Sequence, residues 1–269
     1  MEIVLNHEKY YFTSAPTTDN SHAQWLLLHG FMGSHHDFDR IVPYLNGPIL
    51  LPDLLGHGKS LTKSSYERFS IEYQISDLAT LIKQKMAPPV NLWGYSMGGR
   101  LALGLALKHP ELIKHLVLES STAGLMTLTE RLKRRRHDQR LAQVLLQDGL
   151  PAFVSFWSEL ALFSSQKRLP QKQRKFIQQQ RLEQDSVCLA NSLLGMGTGK
   201  MPNYWPQLKK LKLPVTLLAG ELDPKYTKIT AQMQKLLPQG QRYLIHAAGH
   251  NVHLEQPRTV AEIVELEGI

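Results

Sequence analysis

The feature that most constrains this chain is the run Gly94-Tyr95-Ser96-Met97-Gly98-Gly99, set between two apolar segments of different length. Residues 90–94 (VNLWG) form a short apolar run ending at glycine, the pattern of a buried strand. Residues 97–109 (MGGRLALGLALKH) run on to Pro110 and read as a helix. A serine with glycine two residues before and after it, between a strand and a helix, is a nucleophile elbow. The glycines allow a sharp turn and close helix–strand packing. The turn lifts the Ser96 hydroxyl to the C-terminal edge of the sheet, above a helix N-terminus that favours developing negative charge. G-x-S-x-G alone is a weak signal; its setting makes it specific here.

The flanking pattern supplies the sheet that such an elbow needs. Residues 2–5 and 10–13 flank an Asn-His-Glu-Lys turn and read as a hairpin. Residues 25–31 and 47–53 read as buried strands, with a short helix within 37–45. Residues 70–86 space their apolar positions for an amphipathic helix with Ser70 as N-cap. A strand follows at 115–120. From about 121 to 205 no strand pattern is present, only helical stretches, basic clusters and breaks at Pro151 and Pro170. The rhythm resumes with a strand at 214–223, a helix at 226–237, a strand at 243–250 and a helix at 257–267. Strands alternating with helices predict an α/β fold: a mostly parallel sheet with helices on both faces. Its core is expected over 1–120 and 206–269, with a helical cap, 121–205, inserted after the sixth strand.

Charge and cysteine content narrow the function classes. The single cysteine, Cys188, excludes an internal disulfide and favours a reducing compartment. No apolar run approaches the roughly 20 residues of a membrane helix, and the first residues, with Glu2 and Glu8, lack the apolar stretch of a signal peptide. A cytoplasmic protein without membrane insertion is expected. The formal net charge is +8, and its distribution is uneven: residues 120–212 hold 16 Lys+Arg against 6 Asp+Glu, and the rest hold 15 against 17. The whole basic excess therefore sits in this one internal segment, which spans the predicted insertion and can attract an anionic partner.

A serine elbow needs a base and an orienting carboxylate, and in this fold order both follow the serine. Asp223, in Ala-Gly-Glu-Leu-Asp after the strand at 214–220, is the candidate acid, with Glu221 as competitor. His250, in Ala-Ala-Gly-His, is the candidate base, with Gly249 suited to the turn that aims its ring; His246 and His253 are the alternatives. The backbone amides of Phe31 and Met97 are candidate oxyanion donors, because His29-Gly30-Phe31 follows a strand and Gly30 permits close backbone approach. His29, Asp53 and His57 are expected to be structural.

Together HGF, D-x-x-G-H-G, GYSMGG, GELD and AAGH resemble the α/β-hydrolase family over nearly the whole chain. GYSMGGRLAL, RRRHD at 134–138, FVSFW at 153–157, QQQRL at 178–182 and GTGKMPNYW at 197–205 resemble, more narrowly, the 2-succinyl-6-hydroxy-2,4-cyclohexadiene-1-carboxylate synthases of menaquinone biosynthesis. That resemblance implies a lyase that eliminates pyruvate from a cyclohexene carrying a succinyl group, an enolpyruvyl ether and carboxylates. It implies no metal or organic cofactor, and Ser96 acting as a base rather than as a nucleophile. It carries substrate-binding roles onto Arg100, Arg134, Arg181, Trp157 and Tyr95. Arg135 and Arg136 compete with Arg134, and Ser158 stands where some family members present a tyrosine. Guanidinium forks suit a polycarboxylate independently of the resemblance. The expected partner is a small polycarboxylate substrate, with no nucleic acid and a monomeric chain. Two other readings use the same residues: a carboxylesterase, thioesterase or carbon–carbon bond hydrolase with Ser96 as nucleophile, and a binding protein whose basic run at 131–140 docks nucleic acid. The second lacks interleaved aromatic residues for stacking and leaves an intact triad unexplained.

Overall fold

Strands β1 (Glu2–Leu5), β2 (Glu8–Ala15), β3 (Trp25–Leu28), β4 (Ile49–Pro52), β5 (Val90–Tyr95), β6 (Ile113–Glu119), β7 (Val215–Gly220) and β8 (Gly240–Ile245) form one sheet. Their order is β1-β2-β4-β3-β5-β6-β7-β8. The computed structural model describes residues 1–15 and 23–269. β1 and β2 pair antiparallel, β2 joins β4 antiparallel, and β4 through β8 run parallel. β3, β4, β5 and β7 are buried along their whole length, which is why their sequences are continuous apolar runs rather than alternating ones. Alternation survives in which side of the sheet each residue packs on. Leu92, Leu116 and Leu118 join one core cluster with α1 (Ile71–Lys85) and α2 (Met97–Lys108). Trp93 and Val117 join the other, with α9 (Pro257–Leu266).

Between β6 and β7 lie α3 (Leu128–Gln147), α4 (Gly149–Ser158), α5 (Gln171–Leu182) and α6 (Ser186–Met196). A third cluster joins α3, α4 and α6 to the sheet edge: Met32 packs with Leu141, Leu145, Phe153 and Leu189. α7 (Pro224–Gln234) and α8 (Val252–Glu255) complete the chain order. No helix among the described residues is long and apolar enough to cross a membrane.

Several element bounds differ from the sequence reading. The opening hairpin is tighter: only Asn6 and His7 form the turn, both with positive φ, the two-residue geometry that matches strand twist. The helix expected within 37–45 is two short 3-10 turns, His35–Phe38 and Val42–Tyr44, because Pro43 cannot donate to a continuing helix. The helix after β7 starts at Pro224 and ends at Gln234. The last strand spans Gly240–Ile245 rather than 243–250, because Ala247 takes a positive φ and turns the chain away.

The strand order positions the site. β4 lies on one side of β3 and β5 on the other, so the loops leaving β3 and β5 diverge and open a crevice at the carboxyl ends of the strands. α2 closes the floor of that crevice. A Cβ at Gly98 would collide with the Leu28 carbonyl oxygen, so the first turn of α2 touches the end of β3 only because residue 98 is glycine. Gly98→Ala should therefore cost about 3 kcal/mol, the upper range for overpacking against rigid backbone. A urea unfolding midpoint measures this; an unchanged midpoint would show that the helix can shift freely.

Candidate active site

Ser96 sits where β5 turns into α2, with φ 51° and ψ −103°. A non-glycine residue in this region stores strain of order 1–3 kcal/mol and persists only where its surroundings over-determine it. Here the Ser96 amide donates to the Glu119 carbonyl at 2.9 Å, and Gly98 N–H donates to the His29 carbonyl at 3.0 Å. The Ser121 hydroxyl donates to the Ser96 carbonyl at 3.0 Å.

The turns after β7 and β8 are tied together: Leu222 N–H donates to the Ala248 carbonyl at 2.9 Å and Glu221 N–H to the Ile245 carbonyl at 3.0 Å. That places Asp223 beside His250. His250 Nδ1–H donates to Asp223 Oδ2 at 2.7 Å, and the Ser96 hydroxyl donates to His250 Nε2 at 2.9 Å. Asp223 also caps α7, its Oδ1 accepting from Tyr226 N–H at 3.2 Å. Asp223 and His250 are both buried. The competing pair lies elsewhere: Glu221 and His246 meet each other at 2.8 Å on the exposed surface. Gly249 serves space rather than conformation. The positive φ of this turn belongs to Ala247, while a Cβ on Gly249 would clash with the Ser165 hydroxyl.

Phe31 and Met97 both line the crevice. Among the described residues neither backbone amide donates to another group of the chain. Gly30 makes room for this arrangement, since a Cβ there would lie 2.7 Å from the Tyr95 ring. Tyr95 is buried against the His250 ring, with centroids 5.5 Å apart.

The crevice is a cavity of about 250 Å³ lined by Ser96, His250, Arg100, Arg134, Arg181 and Trp157, among others. Arg100 and Arg181 are 9% and 8% exposed, and among the described residues neither has a carboxylate within ion-pair reach. Arg100 donates to the Met196 carbonyl at the end of α6. Arg181 donates to Ser158 Oγ at 2.8 Å and Gln166 Oε1 at 3.3 Å, and lies over the Phe163 ring. Burial pushes the Arg100 guanidinium down to about 10 and lowers that of Arg181 as well. A buried cation without a counterion is costly, so a cavity walled by two of them is prepared for an anion.

Of the three consecutive arginines, Arg134 reaches the cavity; Arg135 turns instead to the Gly199 carbonyl at 2.8 Å. Arg134 differs from Arg100 and Arg181 in pairing within its own helix, with Asp138 Oδ1 at 2.7 Å, and in being about one-third exposed. Trp157 is both core and lining. It stacks on Phe153 with centroids 5.5 Å apart, meets Phe31 edge-on, and leaves its buried Nε1–H without a partner.

Of the residues expected to be structural, His29 and Asp53 are hydrogen-bonded within the fold, while His57 keeps a buried Nε2 without a partner. His29 Nδ1–H donates to the Gly30 carbonyl at 2.7 Å, and its Nε2 accepts from Leu54 N–H at 2.9 Å. Asp53 accepts from the His35 amide, the His35 ring and the Lys59 amide. The sequence reading passed over Asp37, Gln180 and Tyr226, which also line the cavity. Burial raises the Asp37 carboxyl above the ordinary carboxylate range. Tyr226 packs on His250 with centroids 4.7 Å apart. Its place three residues after the candidate acid, in the first turn of the next helix, was the one signal available.

Burial pushes His57 down to about 3 and His115 to about 4. Each ring stays neutral in the fold and takes up a proton on unfolding once the pH is below about 6.5. Stability should therefore fall as the pH drops from about 6.5 toward 4, since the unfolded chain binds more protons there. His57→Phe should flatten this acid limb of the denaturation profile; an equally steep limb would assign it to other groups.

A family model described as the alpha/beta hydrolase fold matches residues 26–257. A Bacillus subtilis protein provisionally named 2-succinyl-6-hydroxy-2,4-cyclohexadiene-1-carboxylate synthase is 43% identical over 89% of this chain and 88% of its own. The synthase of that name from Pectobacterium atrosepticum is 32% identical over 89% and 92%. The solved structure of MenH from S. aureus superposes with a TM-score of 0.87 at 33% identity, covering 97% of this chain and 99% of the other.

Proposed function

The chain belongs to the α/β-hydrolase family and, within it, to the 2-succinyl-6-hydroxy-2,4-cyclohexadiene-1-carboxylate synthases, and from that premise we propose how its own residues carry out the reaction. The substrate is 2-succinyl-5-enolpyruvyl-6-hydroxy-3-cyclohexene-1-carboxylate and the products are the cyclohexadiene and pyruvate, a step of menaquinone biosynthesis. The observation that carries this assignment to the site is the pair of buried arginines, Arg100 and Arg181, facing the Ser96 cavity without carboxylate partners. A neutral ester would leave both unpaired. A substrate with several carboxylates supplies what they lack.

His250, held by Asp223, takes the hydroxyl proton of Ser96. The Ser96 alkoxide removes the proton from the ring carbon that bears the succinyl group, which is acidified by the adjacent carbonyl. The Phe31 and Met97 amides hold the enolate oxygen that forms. Electrons then move through the ring double bond to expel the enolpyruvyl oxygen as the enolate of pyruvate, which takes a proton on carbon to become pyruvate, restoring the neutral triad. The single double bond becomes the conjugated pair of the product, and no bond to Ser96 forms. In this reading residues 121–205 act as a cap on the core of 1–120 and 206–269. The cap brings Arg134, Trp157 and Arg181 over the serine, while Arg100 and Tyr95 come from beneath.

Coupled pyruvate assays on purified variants test the assignment. Ser96→Ala and His250→Ala should each lower turnover roughly a thousandfold or more, because the two act as one proton-transfer unit. Asp223→Asn should cost less, and Glu221→Gln should be nearly silent. Few-fold losses from the serine and histidine changes would contradict the triad. Arg100→Ala and Arg181→Ala should each cost about 2–4 kcal/mol in kcat/KM, with lysine restoring part of it. Arg134→Ala should also lower Tm, since it strips buried Asp138 of its partner. Lys133→Ala and Lys172→Ala should change little; equal small losses at all five positions would mean a diffuse surface field and no carboxylate site.

A further inference from the structure

Three residues beyond His250, a second histidine forms a second buried pair that the mechanism does not use. His253 and Glu119 are both fully buried. His253 Nδ1 lies 2.7 Å from Glu119 Oε2, and His253 Nε2 lies 2.9 Å from the backbone carbonyl of Asp37. Both neighbours are acceptors only. A neutral imidazole has one N–H, so it could satisfy one of them and would set a lone pair against the other. Two protons on the ring satisfy both. The ring is clamped in this orientation, stacked on Phe38 with centroids 4.4 Å apart and meeting Trp93 and Tyr95 edge-on.

Glu119 gathers more than this one partner. Its Oε1 accepts from the Val252 amide at 2.6 Å and the His253 amide at 3.1 Å, and Oε2 also accepts from Trp93 Nε1 at 3.1 Å. A carboxylate with four donors, two of them backbone amides at the start of α8, is fully satisfied as an anion. The backbone carbonyl of the same residue accepts the Ser96 amide. One residue thus holds the serine turn through its main chain and the histidine turn through its side chain. The far ring nitrogen of its partner holds the loop that carries Phe31. From the other flank, Glu255 accepts from the Gly249 amide at 2.8 Å and from the Ser165 hydroxyl at 3.0 Å.

We propose that Glu119 and His253 form a buried carboxylate–imidazolium pair that positions the catalytic turn, fixing the spacing of Ser96, His250 and the Phe31 amide. They are positioning residues: among the described contacts neither hydrogen-bonds the triad side chains, and neither lines the cavity. The charged and titratable groups facing His253 are Glu119, Asp37 and the Tyr95 phenol, with Glu255 beyond Glu119. Burial is the largest single influence and opposes the ring's charge, but the charge and hydrogen bond of Glu119 together with Asp37 outweigh it, so the His253 pKa stands above the ordinary histidine value. By sign, the stability this contributes is present below the unfolded histidine pKa and is lost as the pH rises through the raised folded one.

The proposal rests on the lyase reading only for its kinetic readout, so the test has arms independent of pyruvate release. In protein labelled with ¹⁵N-histidine at neutral pH, the His253 ring should give two N–H correlations; a single N–H in the wild-type ring would overturn the pair. In Glu119→Gln the ring should retain one. The rate at which a serine-directed fluorophosphonate labels Ser96 should fall on the order of 10- to 100-fold in Glu119→Gln. In pyruvate assays kcat should fall by a similar factor with KM within about twofold, because the cavity arginines are untouched. Labelling at the wild-type rate would overturn the positioning role. Should Glu119→Gln fail to fold, His253→Gln takes its place and carries the same expectation. If wild-type protein labels at Ser96 but releases no pyruvate, the lyase reading fails while the pair is still tested.

Discussion

The backbone at Ser96 is the constraint on which the site depends. A serine with φ 51° is a strained element, and its neighbours are what hold it there. β5 must reach far enough to hand the Ser96 amide to the Glu119 carbonyl, and α2 must begin against β3, where Gly98 alone fits. Once those contacts are made, the hydroxyl can point only toward the crevice where the loops after β3 and β5 part. The turns after β7 and β8 then need to deliver only one ring and one carboxylate, and their mutual hydrogen bonds do so as a unit. Strain at the serine and order in the histidine turn are balanced across the same sheet edge.

Charge divides the cavity in two. The floor and the β7–β8 side carry Ser96, His250 and Asp223, hydrogen-bonded in series. The walls carry cations, two of them buried among neutral acceptors. Leaving a guanidinium in this state destabilises the empty protein, and an arriving carboxylate removes that cost. Asp37, whose carboxyl is pushed upward by burial, lies in the same cavity.

Most of the fold was legible because it rests on local pattern. The elbow, the amphipathic α1 with its Ser70 cap, and the break in strand rhythm after β6 are all written in residue spacing. Strand ends were less legible, since they depend on turn residues such as Ala247, whose positive φ no propensity suggests. Within the candidate site, Ser96, Asp223 and His250 could be chosen because fold order ranks them, and the structure brings the three into hydrogen-bond contact. Arg134 could not be separated from Arg135 and Arg136 by sequence, because adjacent helical positions differ by about 100° and only packing decides which faces inward. Glu119 and His253 were opaque for a related reason. One lay inside an expected strand and the other stood only as an alternative to His250, and 134 positions separate them. A pair so distant exists only once β6 and α8 are brought together.

Elimination and hydrolysis share this triad and differ in whether a bond to Ser96 ever forms. Intact-protein mass spectrometry during steady turnover of the cyclohexene precursor, run alongside pyruvate release, separates them directly. With Ser96 as base, pyruvate and cyclohexadiene should appear in equal amounts while the enzyme mass stays that of the free chain. A substrate-derived adduct on Ser96 that forms and decays with turnover, or release of a hydrolysis product in place of pyruvate, would contradict that role and make this protein a serine hydrolase with an arginine-walled pocket.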